Sequence, residues 1–210
     1  GTANAPAMGL YAKHVLPRLI DLTCGLKPAM RQRAKLVPQA HGRVLEMGVG
    51  SGLNLPYYDA ARVTQLHALD PSPELWRLAA DRVAGTGIAV EYLEAGAEAV
   101  PLANRSVDTV VITYTLCTLP DVAGALAEAR RVLRPGGRLL FCEHGVAPDH
   151  GVRRWQNRLN PAWRRLAGGC HLNRDAPALI AQAGFRITAL DSMYLPGWRP
   201  ASFNVWGSAE

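Results

Sequence analysis

Three glycines at alternate positions, Gly48, Gly50 and Gly52, have the residue type and spacing of a nucleoside-binding turn. Glycine lets the backbone turn tightly and approach a bound molecule closely, where any side chain would collide. Asp70 stands 18 residues after Gly52, near the separation of about 20 at which a carboxylate grips the hydroxyl groups of a ribose. Leu53 occupies the place of the third glycine of a dinucleotide fingerprint, which argues against a pyrophosphate-bridged cofactor. The alternative is that the turn and the acid merely close a β-α-β unit.

Two further side chains have the chemistry of general bases. Glu143 and His144 follow an apolar stretch, and imidazole and carboxylate groups accept protons near working pH when their surroundings tune them. Each also has a structural interpretation, in which Glu143 orders a loop and His144 is a hydrogen-bonded residue of the interior. Tyr114, at the end of another apolar stretch, either lines the same cleft or packs beneath it.

The four cysteines are far apart in the sequence, at positions 24, 117, 142 and 170. None of them forms a C-x-x-C pair, so the spacing indicates neither a zinc site nor a disulfide framework, and we expect no metal. Cys117, Cys142 and Cys170 can still gather around a soft acceptor such as trivalent arsenic, because thiolates are soft ligands. The other interpretation is that they are buried apolar thiols.

An alternation of strand-like and helix-like segments must position these residues. Apolar runs such as Val110–Ile112 are typical of strands covered on both faces. The predicted strands are Arg43–Glu46, Gln65–Asp70, Val90–Leu93, Val107–Thr113, Arg138–Glu143, Phe185–Leu190 and Ser202–Trp206. The predicted helices are Leu10–Ala40, which prolines divide, and Pro73–Ala84, Val122–Leu133, Val152–Ala167 and Arg174–Ala183. This pattern predicts an α/β fold, Rossmann-like and doubly wound, with a seven-stranded, mostly parallel sheet, helices on both faces and an N-terminal helical cap.

Composition sets further limits. The chain has 210 residues, of which 49% are hydrophobic, and a formal net charge of +6. These values exclude a disordered tail, and no apolar run approaches the about 20 residues of a membrane span. The basic residues are dispersed, and clusters such as Arg31–Lys35 are expected to be solvated helix faces, so we expect no nucleic-acid partner. Reduced thiols are typical of a cytoplasmic protein. Asp121, Asn54 and Asn173 are candidate helix caps.

The combination of Glu46-x-Gly48-x-Gly50-x-Gly52, Asp70, Ser106–Thr113 and Leu133–Gly137 resembles the class I S-adenosylmethionine-dependent methyltransferases, over about positions 40 to 145. The resemblance implies that S-adenosylmethionine is the methyl donor and S-adenosylhomocysteine the product, with no metal. It implies that the cofactor is bound by Glu46, Gly48, Gly50, Gly52, Asp70, Pro71, Ala97, Glu98, Thr113 and Tyr114. The family often places an aspartate near adenine, where this chain has Gly96, so adenine is left to the Ala97 backbone with Glu98 nearby.

The segment entered through Cys142-Glu143-His144 resembles a subgroup that includes the mammalian alkyl-thiol S-methyltransferases. The resemblance implies a small-molecule acceptor, with a thiol favoured. His144 and Glu143, at the end of a predicted strand, are the candidate catalytic residues. We expect a single structural domain, in which residues 1–40 form the cap, residues 41–210 the methyltransferase domain, and about 146–173 a lid. The substrate-binding candidates are Trp155, Cys170, His171 and Arg174, and the alternative for the tryptophans is packing.

Two other functions stay open. One is N- or C-methylation of a phospholipid head group or a quinone precursor, in which the basic N-terminal helices rest on an anionic bilayer. The other is a protein that binds S-adenosylmethionine without catalysis. The mammalian members carry an N-terminal membrane anchor that these 210 residues do not show, so we expect weak peripheral membrane contact at most and no stable insertion. The sequence leaves the oligomeric state open.

Overall fold

The computed structural model describes residues 21, 22 and 24–210. Its sheet has seven strands: β1 Gly42–Met47, β2 Val63–Leu69, β3 Val90–Leu93, β4 Val107–Thr113, β5 Leu133–His144, β6 Ile187–Tyr194 and β7 Phe203–Ala209. The spatial order is β3-β2-β1-β4-β5-β7-β6. Strands β1 to β5 pair in parallel, and β7 runs antiparallel to both β5 and β6. The predicted doubly wound, mostly parallel sheet is therefore confirmed.

Seven α-helices connect or cover these strands within the described part of the chain. They are α1 Lys27–Leu36, α2 Pro73–Trp76, α3 Ala80–Ala84, α4 Val122–Val132, α5 His150–Leu166, α6 Ala176–Gln182 and α7 Arg199–Ser202. Short 3-10 turns lie at Val37–Gln39, Leu55–Tyr57 and Arg77–Ala79. The helix predicted over Pro73–Ala84 is thus broken into α2, a 3-10 turn and α3. Of the predicted helical segment Leu10–Ala40, residues 10–20 and residue 23 lie outside the described residues.

The central strands of the sheet are buried on both faces. In β4, Val110 and Ile112 pack into a core with α4 and α6, whereas Val111 packs into a second core with α1. The adjacent β5 alternates in the same way, with Phe141 in the first core and Leu140 in the second. Successive side chains of a strand point to opposite faces, so a continuous apolar run is what a sheet between two layers requires.

Several local predictions need correction. The segment Arg134–Gly137, which lies between the predicted helix and the predicted strand, is inside β5, where Gly136 has a φ of +77° and the pairing with β4 shifts register. Asp121 caps α4 as predicted, because its side chain accepts a hydrogen bond from Gly124 N. Asn173 does not cap α6: it donates to Asn157, and Asp175 is the residue that caps α6.

The order of strands creates a crevice. Strands β1 and β4 are neighbours, and the chain winds outward from them in opposite directions. In open α/β sheets, ligands bind at such a switch point, outside the carboxyl ends of the strands. The glycine turn after β1 and the loop after β4 meet at this place. Among the described helices, none is both long and apolar enough to cross a membrane.

Candidate functional site

The turn after β1 has left-handed backbone at all three predicted glycines. The φ angles are +79° at Gly48, +53° at Gly50 and +76° at Gly52. A side chain at Gly48 would collide with Thr115 on the loop after β4, so this position requires glycine for close packing as well as for its φ. At Gly50, in contrast, an added Cβ would meet no described atom within 4 Å. The main chain at Gly50 therefore borders open space.

Asp70 follows β2 beside this turn. Its side chain is 7% exposed and accepts hydrogen bonds from Gly50 N at 2.9 Å and from Ser72 N at 2.8 Å. Burial raises the pKa of the Asp70 carboxyl. A carboxylate has about four lone-pair sites, so these two contacts leave Asp70 able to accept further hydrogen bonds from a ligand. Pro71, the next residue, is exposed.

Glu46 supports the turn from beneath. It is 1% exposed, and it accepts hydrogen bonds from the Tyr58 hydroxyl at 2.7 Å and from Asn54 Nδ2 at 2.9 Å. Burial raises the pKa of Glu46 to about 7. The expectation that Asn54 caps a helix with its side chain is wrong, because that amide instead bonds to Glu46 and Thr113.

Arg33 completes this buried network, although the sequence pattern did not indicate it as a site residue. It is 4% exposed, although the cluster Arg31–Lys35 was expected to be solvated. Its Nη1 donates to Asn54 Oδ1 at 2.8 Å and to Thr113 Oγ1 at 2.6 Å. A helical period gives the signal that could have found it, since Arg33 shares the buried face of α1 with Ala29 and Leu36, four residues before it and three after it.

Tyr114 packs beneath the cleft, one of its two predicted arrangements. Its ring belongs to the second core, and the guanidinium of Arg33 lies 4.9 Å from the ring centroid. Its φ of +53° places it in the left-handed region of backbone conformation. This conformation is energetically unfavourable for any residue other than glycine. The chain therefore bends sharply where β4 ends, and the loop from Thr115 onward turns back towards the glycines.

The expected adenine side of the cleft is formed by Gly96, Ala97 and Glu98. Ala97 is buried in the first core, whereas Glu98 is an exposed residue. A Cβ added at Gly96 would lie 2.5 Å from Glu98 Oε1. The Glu98 carboxylate thus occupies the space that the side chain of an aspartate at position 96 would fill.

Glu143 and His144 lie at the end of β5, and both engage other protein groups. Glu143 is fully buried, and its carboxylate accepts hydrogen bonds from the main-chain nitrogens of Thr115 at 2.7 Å and Leu116 at 3.0 Å. These contacts support the interpretation in which Glu143 orders a loop. His144 Nε2 lies 3.0 Å from Cys170 Sγ, while its Nδ1 is buried and has no hydrogen-bond partner among the described residues.

Two of the cysteines meet His144. Cys117 Sγ, Cys170 Sγ and a ring nitrogen of His144 all lie within 4.8 Å of one another. Cys142 is elsewhere: it is buried, and its Sγ is 3.6 Å from Asn204 Oδ1. Cys117 and Cys142 are buried thiols and Cys170 is half-buried. Cys117 and Cys170 lie together beside His144, but Cys142 is not part of this group, so the three thiols do not gather around one point.

The expected lid is fastened to the loop after β4. His171 N donates to the carbonyl of Cys117 at 2.8 Å. The guanidinium of Arg174 donates to the carbonyl of Leu119 at 2.7 Å and also to that of Leu116. Trp155 lies on α5 and is 57% exposed, so it is a surface residue in this conformation. Thus Cys170, His171 and Arg174 lie beside the loop after β4, and Trp155 lies on the surface.

These features fit S-adenosylmethionine. Open space at Gly50 accommodates a ligand that contacts bare main chain, and the buried Asp70 adjoins that space. A carboxylate beside a glycine turn suits a ribose diol. Glu98 is exposed, and a carboxylate can accept a hydrogen bond from an exocyclic amino group. No positively charged phosphate-binding group is needed for a ligand of this chemistry.

Comparison with known proteins agrees with this fit. A family model described as "Methyltransferase domain" matches residues 45–141. The human thiol S-methyltransferase TMT1B is 34% identical over 81% of this chain and 72% of its own length. The human thiol S-methyltransferase TMT1A is 33% identical over 82% of this chain and 72% of its own length. The fold is similar to that of an S-adenosylmethionine-dependent methyltransferase from Leishmania major, with a TM-score of 0.66 at 17% identity, over 97% of this chain and 81% of that one.

The pattern of residues, the sheet order and the glycine turn beside Asp70 agree with these likenesses, which extend over most of the chain. We conclude that the chain belongs to the class I S-adenosylmethionine-dependent methyltransferases, in the family of the thiol S-methyltransferases.

Proposed function

We propose that this enzyme methylates the sulfur of a small-molecule thiol. The observation that carries the proposal is the 34% identity over 81% of the chain to a protein named for that reaction. An alignment of that length reaches beyond the cofactor-binding half, into the segment after β5 where the acceptor-side residues lie. The lid candidates Cys170, His171 and Arg174 belong to that segment.

The methyl donor is S-adenosylmethionine, which supplies a methyl group already activated by its sulfonium charge. We assign its ribose to Asp70, its adenine amino group to Glu98, and close main-chain contact to Gly50. Glu46 holds the turn from below through Asn54. This division leaves the loop after β4 and the end of β5 for the acceptor.

The acceptor side favours a nucleophile that ionises with little help. A free thiol has a pKa of about 8.5, and its thiolate is the reactive form. The Glu143 carboxylate is engaged by the loop backbone, so we assign it as a positioning residue for that loop. His144 stays the candidate proton acceptor. Amines and phenols lose their protons less readily and would require a stronger base in the same place.

The direct test is an assay of alkyl thiols, amines and phenols side by side, with formation of S-adenosylhomocysteine as the readout. We expect turnover of thiols, with a rate that rises about tenfold per pH unit below the pKa of the thiol and levels off above it. Turnover confined to amines or phenols would overturn the proposal.

Donor binding is tested separately by thermal unfolding. A ligand present at about 100 times its Kd adds about 2.7 kcal/mol to the free energy of unfolding. We expect Asp70→Ala to lose most of this gain. Asp81→Ala is the matched control, because Asp81 is an exposed acid on α3. Equal stabilisation of both variants by S-adenosylmethionine would contradict the assignment of Asp70.

A further inference from the structure

Three side chains with metal-binding chemistry meet on the acceptor side of the cleft. They are Cys117 in the loop after β4, His144 at the end of β5, and Cys170 in the segment after α5. One donor atom of each lies within 4.8 Å of the donor atoms of the other two. The nearest pair is His144 Nε2 and Cys170 Sγ, at 3.0 Å.

Each of the three is held by contacts outside the cluster. The Glu143 carboxylate accepts a hydrogen bond from Cys117 N at 3.4 Å, and His171 N donates to the carbonyl of Cys117 at 2.8 Å. Cys170 N donates to the carbonyl of Ala167 at 3.1 Å. The strand that ends in His144 is paired with β7 up to that residue. Ligands fixed on rigid elements by such surrounding bonds are the arrangement that metal sites require.

The donor set suits zinc. Two thiolates and one imidazole form the protein part of a three-ligand zinc site, in which the fourth position is left to water or substrate. Tetrahedral bonds of about 2.3 Å to sulfur and about 2.0 Å to nitrogen place such ligand atoms about 3.5 to 3.8 Å apart. The separations here, 3.0 Å for the nearest pair and at most 4.8 Å overall, require movements of about 1 Å or less to reach that geometry.

We propose that Cys117, His144 and Cys170 bind one zinc ion, and that its fourth position takes the sulfur of the acceptor. The second part rests on the proposed thiol methyltransferase function. It also rests on position, since Thr115, two residues before Cys117, packs against Gly48 of the cofactor-binding turn. Cys117 is buried, whereas His144 and Cys170 are half-buried, so we expect the acceptor to approach the ion from the side of those two residues.

The chemistry balances without any other reactant. With zinc bound, His144 is a ligand and no longer acts as the proton acceptor. The acceptor thiol instead releases its proton to water when its sulfur binds the zinc ion, because a coordinating thiol is deprotonated. That sulfur then forms a bond to the methyl carbon, and the bond from this carbon to the donor sulfur breaks with its electron pair left on the donor. The product is a neutral thioether, a weaker ligand than a thiolate, so water displaces it.

Metal binding is measured on the reduced protein after removal of metal with a chelator. Zinc alone is titrated against a chromogenic chelator, and cobalt(II) is used in parallel as a spectroscopic probe. We expect one equivalent of zinc, and cobalt spectra with thiolate charge-transfer and tetrahedral d–d bands. X-ray absorption of the zinc form is expected to show two sulfur ligands at about 2.3 Å and one nitrogen ligand at about 2.0 Å. No zinc uptake, or a spectrum of oxygen and nitrogen ligands only, would overturn the site.

Variants locate the ion. Cys117→Ser and Cys170→Ser are each expected to lower zinc affinity by more than about 100-fold, beyond the range of changes outside the ligand set. Cys24→Ser is the matched control, because Cys24 lies outside the cluster, and we expect its zinc affinity to be unchanged. Circular dichroism and stabilisation by S-adenosylmethionine establish that each variant is folded. Equal zinc affinity in all three folded variants would refute the assignment of the ligands.

A separate experiment tests whether the metal ion binds the sulfur of the acceptor. Adding an alkyl thiol to the cobalt form is expected to increase the thiolate charge-transfer band, and removal of metal is expected to abolish thiol methylation while S-adenosylmethionine still binds. A cobalt spectrum that thiols leave unchanged, or full activity of the metal-free enzyme, would refute the acceptor role. If the enzyme methylates no thiol in any form, the proposed function fails, while zinc uptake and the X-ray absorption result still decide the site.

Discussion

The buried carboxyl group of Glu46 should make the free energy of unfolding depend on pH, and this dependence can be measured. Burial raises its pKa from 4.5 to about 7, so the folded protein binds this proton more tightly than the unfolded chain does. The contribution of this group to the free energy of unfolding is therefore fully present below about pH 4.5. It is lost as the pH rises to about 7, where the carboxyl of the folded protein ionises. Glu46→Gln keeps the size and polarity of the side chain and removes the titration.

The size of the effect follows from the shift. A difference of about 2.5 pH units, at about 1.4 kcal/mol per unit, corresponds to about 3 kcal/mol. The unfolding free energy of Glu46→Gln minus that of the wild type should therefore increase by about 3 kcal/mol from below pH 4.5 to above pH 7. Tyr58 and Asn54 keep partners in the variant, because an amide both accepts and donates hydrogen bonds.

The assay is urea unfolding of both proteins at a series of pH values from about 4.5 to about 8.5. Comparing variant with wild type cancels the titration of all other groups. Glu94→Gln is the matched control, because it makes the same change at an exposed position. If the Glu46→Gln difference does not change with pH, burial does not raise the pKa of Glu46, and our account of this carboxyl is refuted.

Three further predictions concern the residues around the cleft. Gly50→Ala should lower the free energy of unfolding by about 1 to 2 kcal/mol, because the φ of Gly50 is +53°. Calorimetry should also show that S-adenosylmethionine binding is largely lost, because the new Cβ enters the open space beside the main chain of residue 50. Arg33→Ala should lower the free energy of unfolding by about 3 kcal/mol, because it leaves buried acceptors unpaired. The control Arg31→Ala, on the exposed side of α1, should change it by less than about 0.5 kcal/mol. Equal effects of the two substitutions would refute the buried role of Arg33. In steady-state assays, Glu143→Gln should raise the KM for the acceptor more than the KM for the donor. The reason is that the new amide nitrogen replaces a carboxylate oxygen that accepts hydrogen bonds from the loop. A change in kcat alone would contradict the role of Glu143 in positioning the loop.

The sequence predicts the sheet well where a strand is a single apolar run bounded by turn residues. The bounds of β3 and β4 agree with prediction residue by residue, as Val90–Leu93 and Val107–Thr113. The beginning of β5 does not, because Leu133 also pairs with Val107 of β4, and the strand therefore begins before the irregular stretch that contains Gly136. Local pattern cannot show how far a neighbouring strand extends a partner, and this limits the prediction of strand ends.

The candidate site also contains residues that local sequence could predict and residues that it could not. Gly50 and Asp70 could be predicted, because a turn and an acid at a fixed separation lie within one β-α-β unit. Arg33 could not be predicted from charge alone, since its partners lie 21 and 80 positions away in the sequence. The cysteine and histidine cluster was missed for the same reason: His144 and Cys170 are 26 positions apart, and only the fold brings them together.

The position of Arg33 has a practical consequence for shortened forms of this enzyme. The region that matches the family model begins at residue 45, and a protein cut there would lack α1 and its guanidinium group. Asn54 and Thr113 would then lose their charged donor, and the second core would lose Leu36. The region that matches the family model thus leaves out a helix that contributes to both the buried network and the core of this chain.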